Sequence, residues 1–178
     1  MLWGDRAGWA CTARGIDPFR DAKGGYKHRE WKEVAYRWPE ARGDLLRDLV
    51  SAASDDAYVA PLLRDARTRR VAESSPLPGR YAWLDADHWD PEREHQLAAT
   101  GARILQVDSG GGNGSRHIYV DLEALEPGLA VADYAKRLAD ALGTDTYGGD
   151  NKLLRLPGTF NHKPRVAGGR PQLVRWLE

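Results

Sequence analysis

The chain has 178 residues, 42% of them hydrophobic and 29% charged, which is enough to bury a proper core and too apolar a mixture for a disordered protein. Its 26 basic and 26 acidic residues cancel, so whole-chain charge does not mark it as a nucleic-acid binder. A single cysteine, Cys11, excludes an intramolecular disulfide and a multi-cysteine zinc site and fits a reducing cytoplasm, while no apolar run reaches membrane-span length and no secretory pattern opens the chain.

Residues 1–25 show little periodicity and predict loop and short helix. His28–Trp38 predicts a helix stopped at Pro39, and Asp44–Val50 has apolar residues at helical spacing. Residues 1–55 are therefore expected to be mostly helical, joined in one domain to a core at 56–178. Ala57–Leu63 predicts a strand, and Ser74–Gly79 a loop leading into a strand at Tyr81–Asp87. Asp90-Pro91 is a helix-start signal with Gly101 as its stop. Arg103–Val107 predicts a strand, followed by the glycine-rich loop Ser109–Gly114 and a strand from Ser115 to Asp121. Val131, Tyr134, Leu138 and Leu142 share a helical face that closes at Gly143. Residues 152–156, a Pro157-Gly158 turn and a strand at Gln172–Leu177 complete the chain. From Tyr81 onward the order is strand, helix, strand, strand, helix, strand, the split βαβ arrangement of an RRM-like four-stranded sheet.

Charge is unevenly spread. Residues 121–150 hold seven acidic side chains against Lys136 and Arg137, whereas 151–178 hold six basic ones against Glu178 alone. Arg64, Arg67, Arg69 and Arg70 form a second basic cluster. Both clusters read either as solvated faces or as a surface for a polyanion. Trp83 is expected in the core; Trp3, Trp9, Trp31 and Trp38 suit packing or capping, with stacking on bases as the alternative. His28, His88 and His95 are expected to be structural or solvated.

Three motifs carry candidate chemistry. Asp85 and Asp87 alternate to one face of their strand, roughly 7 Å apart along the backbone. Two like charges so placed repel, and divalent cations between them relieve the repulsion. A strand end running into a polar turn is the plainer reading. Next, successive glycines at 110–112 let backbone N–H groups crowd around an anion, and Ser115 and His117 share a face beside them. A flexible hairpin with a satisfied histidine is the alternative. Last comes Asp150-Asn151-Lys152-Leu153-Leu154-Arg155-Leu156-Pro157-Gly158-Thr159-Phe160-Asn161-His162-Lys163, a strand, a turn and a basic polar loop.

In this order the three motifs resemble the archaeo-eukaryotic primase superfamily, and more narrowly the primase-polymerase (prim-pol) domains of plasmid and phage replication proteins. The resemblance covers about the last hundred residues well and the N-terminal half loosely, and Arg155–Lys163 is its most specific stretch. It implies an α/β (α+β) fold, an RRM-like catalytic half at 56–178 fused to an N-terminal α/β half with the active site in the cleft between them. It implies that Asp85, Asp87 and Asp150 ligate two Mg²⁺ or Mn²⁺ ions, with Asp145 competing for the third place and no zinc. His117 and Ser115 would contact a nucleoside triphosphate, Arg155 and Lys163 would offer it positive charge, and Asn161 would belong to the same nucleotide-binding set. The implied reaction is template-directed nucleotidyl transfer on single-stranded DNA, primed or unprimed, alongside a replicative helicase domain or protein and without a membrane. An end-joining-type repair polymerase, a non-catalytic RRM-like nucleic-acid-binding module and a metal-dependent nuclease are the rival readings.

Overall fold

Two 13-residue strands, β1 (Gly8–Arg20) and β2 (Tyr26–Trp38), pair antiparallel along their whole length and open the fold. The structure is a computed structural model that describes residues 2–52, 54–112, 114–124, 131–144 and 149–177. The expectation of a mostly helical segment at 1–55 is corrected here. Trp31, Val34, Ala35 and Trp38 fall at helical spacing, but β2 is an edge strand whose outer residues are largely exposed, and pairing with β1 overrides that period. Gly15, Asp17 and Pro18 disguised β1 as a loop. One helix of this region is as expected: α1 (Arg42–Ser51) buries Leu45 and Leu49.

Strand β3 (Asp56–Val59) pairs antiparallel with β1. On its other side it receives two short strands, β7 (Leu154–Arg155) antiparallel and β8 (Phe160–Asn161) parallel. With β9 (Gln172–Leu173) they complete a six-stranded sheet. One face of it packs on α1 through Trp3, Trp38, Leu45, Leu49, Ala57 and Val59.

The second sheet has the order β10-β5-β6-β4, built from β4 (Tyr81–Ala86), β5 (Ile104–Asp108), β6 (Arg116–Asp121) and β10 (Arg175–Leu177). Helix α2 (Pro91–Ala98) starts as its sequence predicts, with the Asp90 side chain accepting from the Arg93 N–H and proline in the first turn. Helix α3 (Val131–Leu142) buries Val131, Ala135, Leu138, Ala139 and Leu142 along one stripe. One core joins Leu97, Leu138 and Leu142 to Leu84, Ile118 and Val120, and each fully buried aliphatic side chain there contributes about 1.5–3 kcal/mol. Strand β6 lies between β4 and β5, as a split βαβ unit requires. The closing strand β10 pairs with β5 and not with β4, where an RRM-like order would put it, so the expected arrangement is corrected at this edge.

The two sheets meet through a second core in which Trp83, Val107 and Tyr119 pack with Leu62, Leu154 and Val174. Leu173 pairs into the first sheet and Arg175 into the second, with Val174 fully buried between them. Among the described residues no helix is long and apolar enough to cross a membrane.

Candidate active site

Register places the first pair. Asp85 on β4 stands directly opposite His117 on β6, and His117 Nε2 lies 3.6 Å from Asp85 Oδ1. The third motif adds Lys152, whose Nζ lies 2.7 Å from Asp85 Oδ2. Arg155 follows on β7, opposite Tyr58 of β3. The cluster thus lies where the two sheets meet.

Burial works against the Asp85 carboxylate, but the positive groups facing it, His117, Lys152 and Arg155, outweigh burial and hold the group below the ordinary carboxylate range. Burial has the upper hand at His117, where it pushes the imidazole down to about 4 against the pull of Asp85. His117 is therefore neutral near pH 7, and the lasting cations around Asp85 are Lys152 and Arg155. The buried Nδ1 of His117 has no hydrogen-bond partner among the described residues. An ionised carboxylate already facing a cation has the hard oxygen chemistry that suits Mg²⁺ or Mn²⁺.

The glycine-rich loop is braced from both sides. Ser115 is buried, and its hydroxyl donates to the Gly112 carbonyl at 2.6 Å and the Asp87 carbonyl at 3.2 Å. The Gly110 N–H donates to Asp108 Oδ1 at 2.9 Å. At Gly110 φ is 68°, and a Cβ there would come within 3.1 Å of Asn161 Cβ and of the Gln172 carbonyl, so only glycine lets the loop lie this close to the third motif. Asn161 completes the brace. It is fully buried, its amide donates to the Ser109 carbonyl at 3.0 Å, and its oxygen accepts from the Lys163 N–H at 2.9 Å. Through these two bonds Asn161, expected to belong to the nucleotide-binding set, ties the third motif to the glycine-rich loop.

The Pro157-Gly158 turn forms as expected, with φ of 90° at Gly158 and the Thr159 N–H donating to the Leu156 carbonyl at 3.3 Å. Lys163 is exposed at the start of the short helix α4 (Lys163–Val166). Asp87 is exposed just beyond β4, and Asp150 is partly buried in the turn that delivers Lys152. Asp145 and Asn113 lie outside the described residues. Among the described residues no three His, Cys, Asp or Glu side chains are gathered closely enough to hold a metal ion.

Two residues were missed by sequence reasoning. Arg64, grouped with a solvated basic cluster, is fully buried. Its guanidinium donates to the carbonyls of Val71 at 2.8 Å and Ser74, to the Asp150 carbonyl at 3.0 Å and to Asn151 Oδ1 at 2.8 Å. It therefore fixes the turn that carries Lys152. The other is Asp56, also fully buried, which accepts from Tyr26, from the His162 N–H at 2.8 Å and from His28 Nε2 at 2.7 Å, with Arg155 Nε 3.9 Å away. Burial raises its carboxyl, but the hydrogen bonds from His28, His162 and Tyr26, with the charge of Arg155, bring it below the ordinary value. His28 reaches Asp56 across Gly15, where a Cβ would come within 2.4 Å of its ring. These partners lie 28 to 106 residues from Asp56 in sequence, so no short motif announces them.

No protein-family model matches the chain, and no curated protein matches it. Among solved structures it is similar to one described as the crystal structure of primase RepB', with a TM-score of 0.55 at 16% identity, covering 98% of this chain and 52% of that one. The chain therefore spans about half the length of that primase. The likeness is one of fold: the mixed α+β architecture that was expected is the one observed, and it is shared with that primase.

Proposed function

We propose that this protein catalyses template-directed nucleotidyl transfer, synthesising or extending primers on single-stranded DNA during replication of a plasmid or phage. The observation that carries this reading is the convergence of Asp85, His117, Lys152 and Arg155 at the junction of two sheets whose fold is shared with a primase. Asp85, Asp87 and Asp150 do not surround one point in this structure and would have to draw together to hold two divalent cations, Mg²⁺ or Mn²⁺, which when bound would supply Lewis-acid activation of the attacking hydroxyl and charge neutralisation at the triphosphate.

The protein's own groups serve the same end. Lys152 and Arg155 offer fixed positive charge to the phosphates of an incoming nucleotide, where charge develops on the pyrophosphate leaving group. Neutral His117 serves by hydrogen bonding rather than by charge, with its Nδ1 available. Arg64 and Asn161 hold the two loops that bring these groups together. A replicative helicase, in the same protein or as a partner, would supply the single strand.

A second reading, a non-catalytic nucleic-acid-binding module, is favoured by the hold Lys152 already has on Asp85. Nucleotide incorporation on a single-stranded template with Mn²⁺ or Mg²⁺, with and without an annealed primer, separates the two. Product lost in the Asp85→Ala/Asp87→Ala double variant supports the enzyme, and product without a primer makes it a primase. No product with either metal, while wild type and variant bind DNA equally, favours the module.

A further inference from the structure

We infer that single-stranded DNA runs along the outer strand of the N-terminal hairpin toward the Asp85 site, its bases stacking on Trp31 and its backbone held by Arg67 and Arg69. This rests on the proposed function and adds where on the protein the nucleic acid lies. The opposing residues of β1 are small: Gly15 pairs with Trp31 of β2 and Ala13 with Tyr58 of β3. They leave a trough across which the larger rings meet. Trp31 and Tyr58 have centroids 5.1 Å apart, and Trp31 and His28 5.5 Å. In a regular strand His28 and Trp31, three residues apart, would face opposite ways. Opposite this stretch Asp17 has a φ of 50°, the one positive value at a non-glycine residue among the described residues.

Trp31 is 44% exposed, so it presents to solvent a ring already propped from beneath by other rings. A side chain so supported loses little freedom when a base stacks on it. At the inner end of the row the Arg155 guanidinium lies 5.2 Å from the Tyr58 ring centre, and Arg155 also acts on Asp85. At the outer end Glu33 accepts from Trp31 Nε1 at 2.9 Å and lines a groove of about 420 Å³ together with Arg67 and Arg69.

Charge in this groove favours a polyanion. The other oxygen of Glu33 accepts from the Val71 N–H at 2.6 Å, which turns the carboxylate inward, and the two arginines outnumber its remaining charge. Of the neighbouring exposed cations, Arg29 pairs with Asp17 and Lys32 with Glu30. Arg67, whose guanidinium lies 6.0 Å from the Trp9 ring centre, and Arg69 have no ion pair among the described residues. An aromatic face in line with unpaired guanidiniums is the combination that binds a single strand without regard to sequence, whereas a duplex hides its bases from such a face.

The test is fluorescence anisotropy with a labelled oligothymidylate of about 20 nucleotides and with a duplex of the same length. Trp31→Ala is expected to weaken single-strand binding about tenfold, while Trp31→Phe, which keeps a stacking ring, stays within about threefold of wild type. Arg67→Ala/Arg69→Ala is expected to lower the slope of log affinity against log salt by about 1.4, two phosphate contacts' worth. The variants are compared at matched thermal stability, and all three sites are surface positions. Unchanged affinity and slope in both the Trp31→Ala and the double-arginine variants would overturn the inference, as would failure of wild type to bind the oligonucleotide at low salt. Primer extension on the same oligonucleotide isolates the catalytic reading. Binding through this track without incorporation removes the enzyme and keeps the track, and incorporation with unaltered binding by the variants does the reverse.

Discussion

The guanidinium of Arg64 donates to the backbone carbonyl of Asp150, 86 residues further along the chain, and also to the side chain of Asn151. Through that turn Lys152 is presented to Asp85. Arg64→Met keeps the buried stem and removes the donors, leaving several interior acceptors without partners. The expected loss is at least about 3 kcal/mol of folding stability, read from the urea midpoint at constant m-value. An unchanged midpoint would mean that water replaces the guanidinium at no cost, and would remove Arg64 from the scaffold of the site.

Lys152 holds the Asp85 carboxylate that a divalent cation would need. Competition between the two has a definite sign. Lys152→Met is expected to bind Mn²⁺ several-fold more tightly than wild type in the absence of nucleotide, and Asp85→Asn to bind it far more weakly, both by calorimetric titration. In nucleotide incorporation both variants are expected to fall below wild type, Lys152→Met because it loses the charge that faces the triphosphate and Asp85→Asn because it loses the ion. Equal Mn²⁺ affinity in Lys152→Met and wild type would show that Asp85 is not where the ion binds.

Asp56 is held below the ordinary carboxylate value of 3.8. A depressed folded-state pKa contributes stability that is fully present above the unfolded value and is lost as pH falls through the folded one. The stability gap between wild type and Asp56→Asn is therefore expected to be constant above about pH 5 and to narrow steadily below 3.8. Urea unfolding across the acid range measures it. A gap that does not narrow would indicate that the carboxylate contributes no more than its neutral hydrogen bonds.

Gly15 matters for what passes over it. Ala at this position places a Cβ 2.4 Å from the His28 ring, and the expected cost is about 1–3 kcal/mol. In the His28→Ala background the same substitution should cost much less. A double-mutant cycle on thermal or urea unfolding reads the coupling, and simple additivity would show that His28 moves aside freely.

Most of the second sheet was legible from sequence, through alternation at Tyr81–Ala86, the Asp90-Pro91 cap and the apolar stripe of α3, but not that the strand expected at Gln172–Leu177 divides between the two sheets. That Asp85 faces His117 across β4 and β6 was not read from sequence, which placed the first with metal ions and the second with phosphates. The hairpin at 8–38 was not legible. Its outer strand has charges and aromatics at a spacing that suits a helix, and only pairing with β1 decides the matter. Arg64 and Asp56 were hidden for a related reason. A buried ion looks in sequence like any surface charge until the backbone carbonyls and distant side chains that satisfy it are known. Nor does sequence show that the Asn161 amide ties the third motif to the Ser109 carbonyl, 52 residues away.

The last strands at Gln172–Leu177 belong to both sheets, with Val174 sealed between them. A chain stitched across a seam in this way holds its two sides together. Spreading the sheets means peeling β9 from β8 or β10 from β5 while pulling Val174 out of the apolar layer. The two sheets are thus tied by the chain itself as well as by packing, and separating them would break both pairings together.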